Sequence, residues 1–159
     1  MEGKYPGICS EIRIMDMLVT NKSEIFEQMG GRAAVERVTN VFYERIYKDP
    51  WLKQFFDGIP RVHIESQQNE FMQAALGGFN RYAGKTPPSA HQHIYITPEV
   101  YDAREAHLVA AFQECNASEL MVEKWLKVDE TFYDRVVKKS KDDCVMRYST
   151  EGIRDFPKP

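Results

Sequence analysis

The chain has 159 residues, which is enough for one domain with a sizeable hydrophobic core. Its net charge is -3 and its pI is near 5.8, which argues against nucleic acid or an anionic membrane as the main partner. Hydrophobic residues make up 43% of the chain and charged residues 28%, values that are ordinary for a globular protein. The composition therefore excludes a wholly disordered chain.

Targeting and cysteine patterns point to the cytoplasm. No run of about 18 apolar residues occurs, and the first residues, MEGKYPGICSEIRI, hold no long apolar run or cleavage-like site. Cys9, Cys115 and Cys144 are odd in number and lack a CxxC spacing, which disfavours a disulfide framework or a thiolate metal site. We therefore expect a reducing compartment, with no membrane partner.

The first half of the chain has helical periodicity. Residues 1–23 contain a candidate helix with one apolar face, formed by Ile12, Met15 and Val19. This extension would pad the domain or mediate self-association. Ser23 is a candidate N-cap for a short helix that ends at the glycine pair 30–31, and the next helix is predicted at about 32–47. A short apolar helix should follow Asp49-Pro50, with Trp51, Leu52, Phe55 and Phe56 packed inside.

The second half is also predicted to be helical, without strand alternation. A helix beginning near Pro60 should end at glycines 77–78, and Thr97-Pro98-Glu99 should cap a helix that runs to about Gln113. Asn116 should break the chain before a last helix, started by Ser118 or Ala117, with one apolar stripe: Met121, Trp125, Val128, Phe132 and Val136. The basic run at Lys138, Lys139 and Lys141 should be solvated, and the tail from about Cys144 irregular.

Residues 64–91 contain the pattern that points to a cofactor. Gln68 interrupts an apolar helix stripe formed by Ile64, Phe71, Met72 and Ala75. A polar side chain on a buried stripe needs a partner. After Pro87-Pro88 the segment AHQH offers two histidines, and neutral imidazole is a common ligand of transition metals. The pattern predicts a pocket that holds a metal cofactor between the glutamine and a histidine.

Four segments between about Ile25 and about Leu126 match one family in order and spacing. They are FEQMGGRAAVERVTNVFYERIYKDPWLKQFF, NEFMQAALGGFNRYAGK, SAHQH and VYDAREAHLVAAFQE, and together they resemble the truncated haemoglobins, most closely group I. The resemblance implies an all-α, globin-like, two-over-two helical sandwich that binds haem b, iron protoporphyrin IX. We expect an N-terminal extension at 1–23, the globin domain at 24–143 and a C-terminal tail at 144–159.

The resemblance implies that His91 is the proximal iron ligand, because the family's histidine follows an alanine at the place of Ala90. From the residues alone, the residue types and the Pro-rich loop favour a surface histidine at His91. His93 is the competing ligand, but residues two apart on a helix point about 200° away from each other, so one turn presents only one of them to the iron. We expect His63 and His107 to lie at the surface or behind the ligands.

Tyr43 and Gln68 are the expected distal pair, donating hydrogen bonds to a ligand at the sixth position of the iron. As alternatives, Tyr43 would be a core-edge tyrosine and Gln68 an exposed glutamine. Ile64 cannot donate a hydrogen bond and would only wall or gate the pocket. Gln67 stands where some family members have a histidine that coordinates the iron, so distal histidine coordination is not expected.

The remaining cofactor contacts also come from the resemblance. Phe56 matches a phenylalanine that stacks on the haem, and Phe71 and Met72 should pack near the haem or the ligand route. Arg81, Tyr82 and Lys85 should lie on a loop at the haem edge, where cations would pair with the propionates. Arg104 departs from the family pattern at an inner position, so either it reaches a propionate or its helix is rotated.

The resemblance implies reversible binding of O2, and also of NO or CO. One alternative is an NO dioxygenase that forms nitrate with an external reductase, and another is a haem-based gas sensor that uses the extension or the tail. A cofactor-free helical protein is the simplest alternative from the residues alone. The expected partners are diatomic gases and no nucleic acid, with the chain a monomer or a weak dimer.

Overall fold

The computed structural model of the protein describes residues 21–159, and these form an α-helical fold. The helices are α1 at 21–28, α2 at Gly31–Lys48, α3 at Arg61–Ala75, α4 at Pro87–Ala90, α5 at Pro98–Glu114 and α6 at Glu119–Val136. Two short 3-10 turns lie at Leu52–Phe56 and Lys141–Asp143. Within the described residues, extended pairing is limited to one parallel bridge between Ile94 and Arg154. The all-α prediction is confirmed.

Helix α2 is the centre of the fold and packs against both α3 and α5. Helices α5 and α6 meet through aromatic side chains, with ring centroids 5.5 Å apart for Phe112 and Trp125 and 4.8 Å apart for Tyr101 and Tyr133. The short α4 lies against α6. The fully buried side chains between these helices include Val35, Val38, Ile46, Met72, Leu108, Met121 and Trp125.

Most helix ends lie where local chemistry predicted them. The Thr97 hydroxyl accepts a hydrogen bond from the Val100 N–H at 3.2 Å, and the Ser118 hydroxyl accepts one from the Met121 N–H at 3.2 Å. Gly30 has φ 108°, a left-handed conformation that glycine adopts without a steric penalty. The Ser23 cap was wrong, because residues 21 and 22 are already helical and Ser23 lies inside α1.

The tail beyond α6 is irregular, as predicted, but it is docked on the domain. The Arg154 N–H donates to the His93 carbonyl at 2.9 Å, and the Tyr95 N–H donates to the Arg154 carbonyl at 2.9 Å. Further along, the Trp51 indole N–H donates to the Phe156 carbonyl at 2.7 Å. The tail therefore contacts both the segment after α4 and the 3-10 turn before α3.

Two predictions about exposure were wrong. Lys138 is buried rather than solvated, while Lys139 and Lys141 are exposed as expected. Ala75 was placed on the apolar stripe of α3 but is exposed at the last position of that helix.

Some expectations concern residues outside the described range. The extension at 1–20, with the predicted helix face of Ile12, Met15 and Val19 and with Cys9, is not among the described residues. Cys115 and Cys144, which are described, form no disulfide. Between residues 21 and 159, no helix combines the length and the hydropathy needed to cross a bilayer.

Candidate functional site

His91 follows α4 directly, and its ring is fixed by the backbone of that helix. The His91 Nδ1 lies 2.6 Å from the Pro87 carbonyl, which can only accept, so Nδ1 carries the proton. The proline pair suits the first turn of α4, since proline has no N–H to leave unsatisfied there. This tautomer leaves the lone pair on Nε2, and burial lowers the pKa of His91 and favours the neutral ring. Nε2 is therefore available to a metal.

His93 lies in different surroundings. It is 6% exposed, and burial together with the charges of Arg147 and Arg154 lowers its pKa to about 4. Both arginines belong to the tail. The main charged neighbours of His91 are instead Lys138, Arg104 and Asp129. The two histidines thus have different charged neighbours, and the choice between them as the iron ligand stays a prediction.

Tyr43 lies on α2 within an aromatic cluster and is 5% exposed. Its ring centroid is 4.8 Å from that of Phe42, 5.9 Å from that of Phe56 and 6.5 Å from that of Tyr47. Burial raises the pKa of Tyr43 and outweighs the opposing charge of Arg104. The phenol is therefore a neutral hydrogen-bond donor at any ordinary pH, and it lies next to Phe56.

Arg104 forms an internal ion pair that the sequence did not predict. Its guanidinium donates to the Asp129 carboxylate on α6 and lies 5.1 Å above the centroid of the Phe42 ring. The Arg104 charge lowers the pKa of both Tyr43 and His91, and the Asp129 charge raises both. Tyr43 and His91 therefore lie near the same charged pair. The available signal was Asp129 itself, an acid four residues after Trp125 on the buried side of α6.

Helix α3 supplies the other expected pocket residues. Ile64 and Gln68 are half-buried and one turn apart, so they lie on the same face. Met72 is fully buried, while Phe71 is half-buried with its ring centroid 5.3 Å from that of Tyr82 and 6.2 Å from that of Phe132. A cleft of about 400 Å³ opens beside these three rings, between α3, α6 and the following loop.

The loop after α3 holds the expected propionate partners. Arg81 and Lys85 are exposed, and the Arg81 guanidinium lies 5.1 Å above the centroid of the Phe79 ring. The Tyr82 hydroxyl donates to the Lys85 carbonyl at 2.5 Å, which closes the loop on itself. Among the described residues neither cation forms an ion pair, so a role at the haem edge stays a prediction.

The sequence analysis missed Lys138. This residue is 8% exposed, and its ammonium donates to the His91 carbonyl at 2.6 Å. Burial lowers the pKa of Lys138. It belongs to a basic run at the end of α6, so nothing in the local pattern distinguished it from its solvated neighbours.

The residues present fit a haem. A neutral imidazole with a fixed tautomer is the globin type of iron ligand, and a buried neutral phenol can donate to a gas ligand without ionising. The charges of Arg104 and Asp129 act on both groups, which supports a shared region of the interior. The described residues contain no cluster of three or more His, Cys, Asp or Glu side chains that could hold a metal ion.

Comparisons with known proteins give the family. A model of the bacterial-like globin family matches residues 24–138. The group 1 truncated haemoglobin of Tetrahymena thermophila is 31% identical over 106 residues, which are 67% of this chain and 88% of that protein. The group 1 truncated haemoglobin of Synechocystis is 29% identical over 104 residues, which are 63% of this chain and 84% of that protein.

A solved structure agrees. The ferric truncated haemoglobin of Tetrahymena pyriformis superposes with a TM-score of 0.65 at 29% identity, covering 72% of this chain and 98% of that one. Structures of its variants change one tyrosine and two glutamines, which lie twenty-one and twenty-five residues after the tyrosine. The chain belongs to the bacterial-like globins, as a group I truncated haemoglobin with the two-over-two helical fold, a family of haem proteins that bind diatomic gases.

Proposed function

We propose that this globin binds O2 reversibly at a haem b iron, with His91 as the iron ligand and with Tyr43 and Gln68 stabilising the gas. NO and CO are the other expected ligands. The strongest support is the His91 ring, whose Nδ1–H is held by the Pro87 carbonyl so that Nε2 is the basic atom. When bound, the haem supplies iron with one open coordination position, and an imidazole ligand keeps that position free for a gas.

Tyr43 and Gln68 provide the hydrogen-bond donors. In the Tetrahymena pyriformis protein the altered tyrosine and glutamines are separated as Tyr43 is from Ile64 and from Gln68 in this chain. Where that protein has its first glutamine, this chain has Ile64, which cannot donate. We therefore propose one donor from α2 and one from α3, with Ile64 as an apolar wall.

The other cofactor contacts are proposed as follows. Phe56, which lies against Tyr43, stacks on the haem, and Phe71 and Met72 pack beside it. Arg81, Tyr82 and Lys85 lie at the propionate edge. Arg104 borders the haem from inside the fold, and its charge is balanced by Asp129. A haem propionate that paired with Arg104 would have to share the guanidinium with the Asp129 carboxylate or replace that carboxylate.

The iron ligand is tested by His91→Gly. Removing the imidazole should abolish stable haem incorporation, and free imidazole added at millimolar concentration should restore a Soret band, because it refills the space next to the iron. His93→Gln is the matched control and should retain haem. Loss of haem in the control with retention in His91→Gly would contradict the choice of ligand.

The distal pair is tested by Tyr43→Phe combined with Gln68→Leu. Each neutral hydrogen bond in a dry site contributes about 1 kcal/mol, and more when the acceptor carries charge, so O2 dissociation should accelerate by at least about tenfold. Stopped-flow displacement of O2 by CO measures this rate. Tyr47→Phe is the control, since the Tyr47 hydroxyl donates to the Ile59 carbonyl at 2.8 Å. An unchanged rate in the double variant would show that these side chains do not contact the gas.

The alternative functions, the cellular location, the oligomeric state and the domain boundaries are also proposals. The alternatives to reversible binding are an NO dioxygenase with an external reductase and a gas sensor. Rapid mixing of the oxygenated protein with NO, with and without an electron donor, separates turnover from a single reaction. We also propose a cytoplasmic monomer or weak dimer, divided into an extension at 1–23, a globin domain at 24–143 and a tail at 144–159.

A further inference from the structure

Three successive carbonyl groups, beginning at the proposed iron ligand, accept hydrogen bonds from the C-terminal part of the chain. The His91 carbonyl accepts from the Lys138 ammonium at 2.6 Å, and the Gln92 carbonyl accepts from the Val145 N–H at 2.8 Å. The His93 carbonyl accepts from the Arg154 N–H at 2.9 Å. The His91 N–H still donates to the Pro87 carbonyl of α4, which ends at Ala90, but the carbonyls of Gln92 and His93 are held by the C-terminal part of the chain.

Arg154 also connects this backbone to the distal side. Its own carbonyl accepts from the Tyr95 N–H at 2.9 Å, while its guanidinium donates to the Phe55 carbonyl at 2.8 Å. Phe55 precedes Phe56, whose ring contacts Tyr43. One residue of the tail thus holds the segment after His91 and the turn that carries Phe56.

The end of the tail secures this arrangement. The Phe156 ring lies 5.1 Å from the Phe55 ring, between centroids, and the Phe156 carbonyl accepts from the Trp51 indole. Lys141 pairs with Asp155 at 3.2 Å. These contacts hold the C-terminal residues at several points, so that the loss of one contact alone does not release them. The family model ends at residue 138, so the contacts made by residues 145–156 lie beyond the part that the family model matches.

We propose that residues 145–156, here called the C-terminal strap, are a positioning element for His91. The strap fixes the backbone of the two residues that follow His91 and holds it in register with the turn that carries Phe56. Partners behind a metal ligand set its orientation and its basicity. In this chain the Pro87 carbonyl fixes the ring, and the strap fixes the residues that follow it. The inference rests on the proposed role of His91.

The test compares the intact holoprotein with a chain that ends at Cys144 and with Arg154→Ala. In the ferrous, gas-free protein, resonance Raman spectroscopy gives the iron–histidine stretching band, which reports the geometry of that bond. We expect the truncated chain to show a shifted and broadened band, and Arg154→Ala to show a smaller change in the same direction. Haem transfer to apomyoglobin should become roughly tenfold faster after truncation.

A second measurement does not depend on the iron. Hydrogen exchange at the Tyr95 amide, followed in the cofactor-free protein, should accelerate in the truncated chain because its acceptor on Arg154 is gone. Arg147→Ala is the matched control. Arg147 lies in the same strap and its guanidinium hydrogen bonds go to Glu151, so the Raman band and the exchange rate should stay unchanged.

The possible results distinguish failure of the strap proposal from failure of the proposed function. A truncated holoprotein with the band of the intact protein would overturn the strap as a positioning element, even if it is less stable. If the truncated chain does not take up haem, Arg154→Pro decides by the same band, because proline lacks the N–H that is donated to the His93 carbonyl, and no change there overturns the inference. Absence of an iron–histidine band from the intact protein would overturn the proposed function itself, and the inference with it.

Discussion

The Arg104–Asp129 pair gives the sharpest energetic prediction. The Arg104 side chain is 26% exposed and the Asp129 side chain 12%, so both charges are largely removed from water. Two unit charges about 4 Å apart attract by about 4 kcal/mol at an effective dielectric constant of about 20. Removing one partner of a buried pair costs about 3–5 kcal/mol, because the other charge stays behind uncompensated. We expect Arg104→Met and Asp129→Leu each to cost about 3 kcal/mol.

The double variant should recover most of that loss, since two apolar side chains need no compensation and fill a similar volume. The expected coupling is therefore several times larger than measurement error. Urea unfolding followed by circular dichroism gives the four free energies, at equal protein and haem concentrations because bound cofactor adds to stability. The exposed Lys48–Glu44 pair is the control and should show no measurable coupling. Additive effects of the two substitutions would refute the buried pair.

Two further substitutions test the helix ends. Burial raises the pKa of Asp49, but hydrogen bonds from the Leu52 N–H, His107 and the Trp51 N–H outweigh it and hold the pKa below its usual value. The carboxylate therefore stabilises the fold above about pH 4, and this contribution is lost as the pH falls through the lower folded pKa. In Asp49→Asn the unfolding temperature should fall less steeply on acidification than in the unaltered protein. Parallel curves of unfolding temperature against pH for the two proteins would contradict this. Gly30→Ala should cost at least about 1–2 kcal/mol in urea unfolding, because φ is 108° and the new Cβ would lie 2.6 Å from the Cβ of Ala34. Ala33→Gly, at an exposed helical position, should cost no more than about 1 kcal/mol.

The helices were predictable because their signals are local. Helix α2 was expected at about 32–47 and spans Gly31–Lys48, the Thr97 cap lies as predicted, and Ser118, one of the two predicted start residues, caps α6. Each of these signals needs only four or five neighbouring residues to be effective. Ser23 failed for the same reason, since a serine near a helix start is common and the start itself lay further toward the N-terminus.

The surroundings of the site were not predictable in this way. Lys138 reaches the backbone of a residue 47 positions away, and Trp51 bonds a carbonyl 105 positions away. No periodicity encodes such contacts, since the folded path of the chain decides which residues meet. The Arg104 ion pair spans 25 positions and joins two helices. The sequence analysis identified Arg104 as an exception and overlooked Asp129, whose place four residues after Trp125 was the available signal.

Trp51 has a use that follows from its position. The chain has two tryptophans, and Trp125 is fully buried between α5 and α6. The Trp51 indole N–H donates a hydrogen bond to the Phe156 carbonyl near the end of the chain, and the Lys158 ammonium lies 5.9 Å from its ring centroid. In a Trp125→Phe variant, Trp51 is the one remaining tryptophan. The emission wavelength of the cofactor-free protein then reports whether the C-terminal residues are docked against Trp51. Tags or fusion partners added there can be screened by that emission before any gas is introduced.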